Sequence, residues 1–201
     1  EHGLEPAPER KRQSTWITFL QSHWDVLAAI DFTTLEVWTK GGLVTYYLLF
    51  VMELATRRVH FAGGTPNPKE SWMKQVAREW TNFEDGFWNG KRYLLLDRDD
   101  KFCPAFQSFL EGEGLESVPL PPKSPNWNAH LERFVGSLKS ECLERMIFFG
   151  ETMLRTAIRQ FLEHYHAERN HQGLANQILQ PGNEVGRGEG PVQCRGRLGG
   201  L

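Results

Sequence analysis

Cysteine is scarce. Cys103, Cys142 and Cys194 are the only three among 201 residues, widely spaced and odd in number. That pattern offers neither a disulfide framework nor a C-x-x-C metal knuckle, so reduced thiols of a cytoplasmic protein are expected. Long apolar runs are missing too. The longest candidate, Leu43 to Leu54, is interrupted by Thr45 and Glu53 and falls short of the roughly 20 residues that cross a bilayer, so no membrane partner is expected. The charged stretch Glu1 to Arg12 lacks the apolar core of a secretory signal. Nor is there an excess of positive charge. With 23 Lys and Arg against 25 Asp and Glu, the formal net charge is −2 and the pI is near 6.4. This disfavours a protein that coats nucleic acid with its whole surface; any DNA contact must be local or assisted by cations.

What is present favours a packed interior. Hydrophobic residues make up 40% of the chain, with seven Trp and thirteen Phe. Residues 1–20, with Pro6, Pro8 and the triplet Arg10-Lys11-Arg12, are expected to be a linker. The glycine-rich residues 176–201 are expected to be a flexible tail, because ordering so many glycines costs entropy. Between them the hydrophobic period changes repeatedly. Trp24 to Trp38, Leu43 to Glu53 and Ala55 to Ala62 are β-favouring runs joined by short turns, which predicts an antiparallel meander. A helix is predicted over Pro68 to Trp80, a buried strand over Tyr93 to Leu96, a helix over Pro104 to Leu110 and a strand over Glu116 to Leu120. Two longer helices, Ala129 to Met146 and Glu151 to Glu168, carry apolar residues at 3.6-residue spacing. The order βββαβαβαα predicts an α/β domain over residues 21–175, a mixed five-stranded sheet flanked by helices.

Three acids stand out. Asp31 lies among apolar strand neighbours, where a carboxylate is expensive to bury without compensation, although simple alternation could also place it on a solvated face. Asp97 ends the strand Tyr93 to Leu96, and carboxyl ends of strands are where α/β sheets assemble sites; a turn or helix-cap role is the competing explanation, since Arg98, Asp99 and Asp100 follow. Glu132 falls in the first turn of a helix, where the dipole favours acids in any case. Lys139, two turns later, projects from nearly the same side.

The constellation says more than its members. The flanks IDFTTLEVW, LLLDRDDKF and SPNWNAHLERFVGSLKSE around Asp31, Asp97 and Glu132 resemble the D…D…E core of bacterial insertion-sequence transposases and retroviral integrases. The segment His164 to Leu174 is similar to the closing YNxxRPHxxL motif of that family, so the resemblance covers roughly residues 20–175. It implies a ribonuclease H-like fold, with Asp31, Asp97 and Glu132 as catalytic residues and ligands of two Mg²⁺ ions, Mn²⁺ being a plausible substitute. It further implies cleavage and strand transfer of DNA, with transposon ends and a target duplex as partners. Homo-oligomers assembled on DNA, an upstream DNA-binding module and a bacterial, nucleoid-associated location follow as well. The chemistry is consistent with this: clustered acids repel unless cations neutralise them, and oxygen-only ligands suit hard divalent ions. Two such ions roughly 3.5–4 Å apart stabilise attacking and leaving oxygens in a phosphodiester displacement.

Departures from the pattern are visible. Asp99 stands where relatives carry Gly, which leaves open whether Asp99 or Asp100 shares the site, and Gly136 replaces a residue that is often basic. Lys139, Arg133, Asn128 and Trp127 are the expected DNA contacts. His164, His166 and His171 are expected to serve packing and helix-end hydrogen bonds rather than a metal. Two rivals remain at this level: a catalytically inactive DNA-binding or structural remnant of a mobile element, and a ribonuclease H-like nuclease acting on hybrids.

Overall fold

The computed structural model describes residues 16–81, 88, 90–120, 128–182 and 196–198. Helix α1 (residues 16–23) precedes strands β1 (Leu27–Thr39), β2 (Gly42–Glu53) and β3 (Val59–Thr65). Then come α2 (Glu70–Trp80), β4 (Tyr93–Leu96), α3 (Pro104–Gly112), β5 (Glu116–Pro119), α4 (Ala129–Glu141) and α5 (Glu151–Ala167). The five strands form one sheet in the order β3-β2-β1-β4-β5. β1, β2 and β3 are an antiparallel meander, and β4 and β5 run parallel to β1. Parallel neighbours need crossovers, which α2 and α3 supply. The first hairpin closes with Thr39 opposite Gly42, and Gly42 takes φ +107°, a conformation only glycine adopts without strain.

Alternation along the strands splits the core in two. Leu27, Ala29, Leu48, Phe50, Met52, Tyr93 and Leu95 pack against Leu131, Phe134 and Leu138 of α4 and Leu154, Ile158 and Phe161 of α5. Ala28, Ile30, Leu49, Val51, Leu94 and Leu96 face the other way, onto Met73, Val76 and Ala77 of α2 and Phe106 and Leu110 of α3. Helices therefore cover both faces, as the sequence order predicts.

Several boundaries differ, and β1 starts at Leu27 rather than Trp24, because Trp24–Val26 form a 3-10 turn. β3 starts at Val59 rather than Ala55, because Arg57 turns the chain with φ +61° while its N–H donates to the Glu53 carbonyl at 2.9 Å. α4 stops at Glu141 rather than Met146; Cys142 leaves helical geometry at φ −134° and a single 3-10 turn, Leu143–Arg145, follows. Helix α1 occupies a stretch where no element is predicted: Leu20 is buried, and Phe19 meets Tyr93 edge-on with ring centroids 5.0 Å apart. Near the other terminus, Arg197 pairs with Glu163 at 2.9 Å and Glu168 at 2.8 Å, both from the α5 region. The histidines behave as expected. His166 Nε2 accepts a hydrogen bond from the Val59 N–H at 3.0 Å, tying α5 to β3. His171 Nε2 lies 2.8 Å from the Tyr165 carbonyl, and His164 Nδ1 3.1 Å from Glu168.

Candidate active site

Sheet geometry decides where the acids go. Leu27 and Ala29 of β1, with Tyr93 and Leu95 of β4, face the helices α4 and α5. Continued by two residues, the same alternation sets Asp31 and Asp97 on that face. The parallel register pairs Ala29 with Leu95, so Asp31 comes level with Asp97. α4 seats Leu131 and Phe134 on this face and thereby carries Glu132, in its first turn, toward the two aspartates.

The electrostatics reflect this approach. Asp31 is half-buried, and its Oδ1 accepts the Phe32 N–H at 2.8 Å. Burial, then the charge of Asp97, push its carboxyl up to about 7; Glu132 and Asp99 add to the rise, and the Phe32 hydrogen bond opposes it. Asp97 is also raised, chiefly by burial, although its Oδ1 accepts the Asp99 N–H at 3.1 Å. Asp99 differs. Burial pushes it up, but Lys101 outweighs that through its ammonium at 2.6 Å and its backbone N–H at 2.9 Å, leaving Asp99 below the ordinary carboxylate range. Its carboxylate is thus already engaged by a cation.

Asp97 and Glu132 each lie within electrostatic reach of Asp31 rather than in coordination contact. Among the described residues, no group of three or more His, Cys, Asp or Glu side chains stands close enough to hold a metal ion. Glu132 is exposed at the helix start. The donor chemistry nonetheless fits a hard divalent cation: the three groups offer only oxygen, and the Asp31 carboxyl, raised by burial and then by the charges of Asp97, Glu132 and Asp99, sits where a cation would offset that charge.

The expected DNA contacts separate. Lys139 is half-buried and lies seven residues from Glu132, hence on nearly the same side of α4. Arg133 is exposed but turns with His130 and Ser137 toward a different cavity, on roughly the opposite side of the helix. Asn128 is buried, at 6% exposure, and its Oδ1 has no hydrogen-bond partner among the described residues. Trp127 and residues 124–126 lie outside the described residues. Lys101 was not singled out from sequence, yet it holds Asp99 and lies over the rings of Phe32 (5.4 Å) and Tyr47 (5.2 Å). Its one sequence signal is a cation four positions after Asp97, with nothing in the pattern to show which way it points.

Comparison with known proteins agrees with this architecture. Residues 113–178 match the family model described as integrase core domain, a span that contains Glu132 but neither aspartate. Over 81 residues the chain is 31% identical to the uncharacterized 39.2 kDa protein of insertion element IS476 from Xanthomonas euvesicatoria, covering 40% of this chain and 23% of that protein. The match thus spans about a quarter of that relative's length. Among solved structures, the HTLV-2 integrase catalytic core domain, determined in complex with magnesium, superposes with a TM-score of 0.52 at 13% identity, covering 77% of this chain and 93% of that one. The catalytic core domain of BIV integrase gives a TM-score of 0.48 at 13% identity over 74% and 88%. No helix among the described residues is long and apolar enough to cross a membrane. The chain has the ribonuclease H-like fold of integrase catalytic cores, and over residues 113–178 it is similar to the integrase core domain in sequence as well.

Proposed function

We propose that this chain is the catalytic core of a DDE-type transposase or integrase, which cuts DNA strands and joins them to a target by phosphoryl transfer. The observation that carries the reading is the action of both Asp97 and Glu132 on the half-buried carboxyl of Asp31. Those three residues, from β1, the end of β4 and the start of α4, are the proposed holders of two Mg²⁺ ions, or of Mn²⁺ in their place. When bound, such a pair supplies charge neutralisation at the attacking and leaving oxygens of a phosphodiester.

The chain's own groups supply orientation. The Phe32 N–H fixes one oxygen of Asp31. The Asp99 N–H does the same for Asp97. Asp97 rather than Asp99 is the ligand in this account, because Lys101 already occupies the Asp99 carboxylate. Lys139 shares the side of α4 with Glu132 and steadies a DNA phosphate beside the acids. DNA ends and a target duplex are the substrates, held by copies of the chain assembled on DNA, with end recognition contributed by a preceding module.

The test offers labelled duplex ends and an RNA–DNA hybrid to the protein with Mg²⁺ or Mn²⁺. The expected result is cation-dependent nicking and joining of DNA that Asp31→Asn or Glu132→Gln abolishes. Processing of the hybrid alone, or activity that survives both substitutions, overturns the reading.

A further inference from the structure

A cavity of about 300 Å³ opens on the side of α4 turned away from Glu132 and Lys139. Its lining brings together Arg57 from the β2–β3 turn, His130, Arg133 and Ser137 from α4, and Arg169 from the segment after α5. Of the three arginines, only Arg169 has an acidic partner among the described residues, Glu141, at 2.8 Å. Arg57 Nη1 is buried with no hydrogen-bond partner among the described residues. The guanidinium instead lies over the Trp24 ring, 5.4 Å from its centroid. Desolvation lowers its pKa from the ordinary arginine value, as expected for a cation removed from water without a counter-ion. The backbone contributes as well: Arg57 holds φ +61°, a left-handed conformation that a non-glycine residue rarely takes outside functional or tightly determined positions.

A walled recess with two guanidinium groups that have no acidic partner among the described residues, beside a third paired through both Nη atoms with Glu141, is complementary to a phosphate oxyanion. Planar donor forks match the tetrahedral oxygens, and the Ser137 hydroxyl adds a neutral donor. We propose that this cavity is a second phosphate-binding site, which grips a phosphodiester of DNA on the flank of α4 opposite the carboxylates. The proposal rests on the DNA-processing reading above and adds to it a contact remote from the reacting strand. Arg57 and Arg133 then act on one phosphate, not two.

That stoichiometry gives the test. Duplex binding by the full chain is measured across a salt series, for the parent and for Arg57→Gln, Arg133→Gln and the double variant. Each phosphate contact contributes roughly one unit to the slope of log K against log salt. The expected result is a slope reduced by about one in each single variant and by no more than about one in the double variant. Arg133 is an exposed helix position, so its variant keeps the test valid if Arg57→Gln does not fold. Parent-like slopes in folded variants overturn the proposal, as does thermal stabilisation by inorganic phosphate that depends on Arg57 while duplex binding does not. A parent that binds no DNA at all defeats the functional reading itself, a distinct outcome.

Discussion

Asp31 converts its surroundings into a pH dependence of defined sign. Its folded pKa, about 7, lies above the ordinary value of 3.8, so the folded state binds the extra proton. The associated stability is complete below about pH 3.8 and is lost as pH rises through 7. Urea titrations at pH 4, 6 and 8 should show Asp31→Asn equal to the parent at the lowest pH and more stable by on the order of 2–4 kcal/mol at the highest. A constant difference across that range contradicts the buried, charge-crowded carboxyl. Activity separates the neighbouring acids at the same scale. Asp97→Asn is expected to cost about 10³-fold or more in strand cleavage, the size of losing several kcal/mol of transition-state stabilisation. Asp99→Asn removes only a half-exposed ion pair with Lys101 and should stay within about tenfold. The reverse order would reassign the ligand.

Among the elements, α4 does the most to assemble the site, and it contains a weak point. Gly136 lies inside the helix, between Glu132 and Lys139 in sequence, and a Cβ there would meet nothing within 4 Å. Gly136→Arg should therefore raise stability by about 0.5–1 kcal/mol through helix propensity and tighten DNA binding through an added cation; melting and duplex titration check both. A loss of stability would mean the helix is bent or packed there in a way the open space does not show. This is also the scale at which the sequence was most legible. Alternating apolar strands and 3.6-spaced helices are set by local period, so the meander, the crossovers and the faces of α4 and α5 were readable in advance. Flanking motifs single out Asp31, Asp97 and Glu132 as candidates through the resemblance alone. What escaped depends on non-local packing. The burial of Asn128 and the direction of Lys101 are set by neighbours distant in sequence. The turn at Arg57 requires a positive φ that no glycine announces. Helix α1 was legible in principle from Trp16, Phe19, Leu20 and His23 at i, i+3, i+4 and i+7, but the charged segment before it obscured the pattern.

At the scale of the whole molecule, half-buried histidines oppose the trend of Asp31. His60 and His166 are both depressed from 6.5 to about 4, first by burial; the charge of Arg58 adds to the drop at His60, and those of His60, Arg58 and His171 add to it at His166. Because the neutral form is the folded one, their contribution is intact above pH 6.5 and is lost as pH falls through 4. Discounting for partial exposure, on the order of 2 kcal/mol should disappear across that window. His166→Gln, whose amide oxygen can still accept the Val59 N–H, should flatten the loss; an unchanged slope would remove His166 from the account. The claim on which all else depends is that β1, β4 and α4 gather their acids around shared cations, and Mn²⁺ uptake at pH 7.5 by calorimetry measures it directly. Two ions bound per chain are predicted, with proton release from Asp31 and affinity at least about tenfold weaker in Glu132→Gln. No uptake, or the same affinity and stoichiometry in Glu132→Gln, would contradict it.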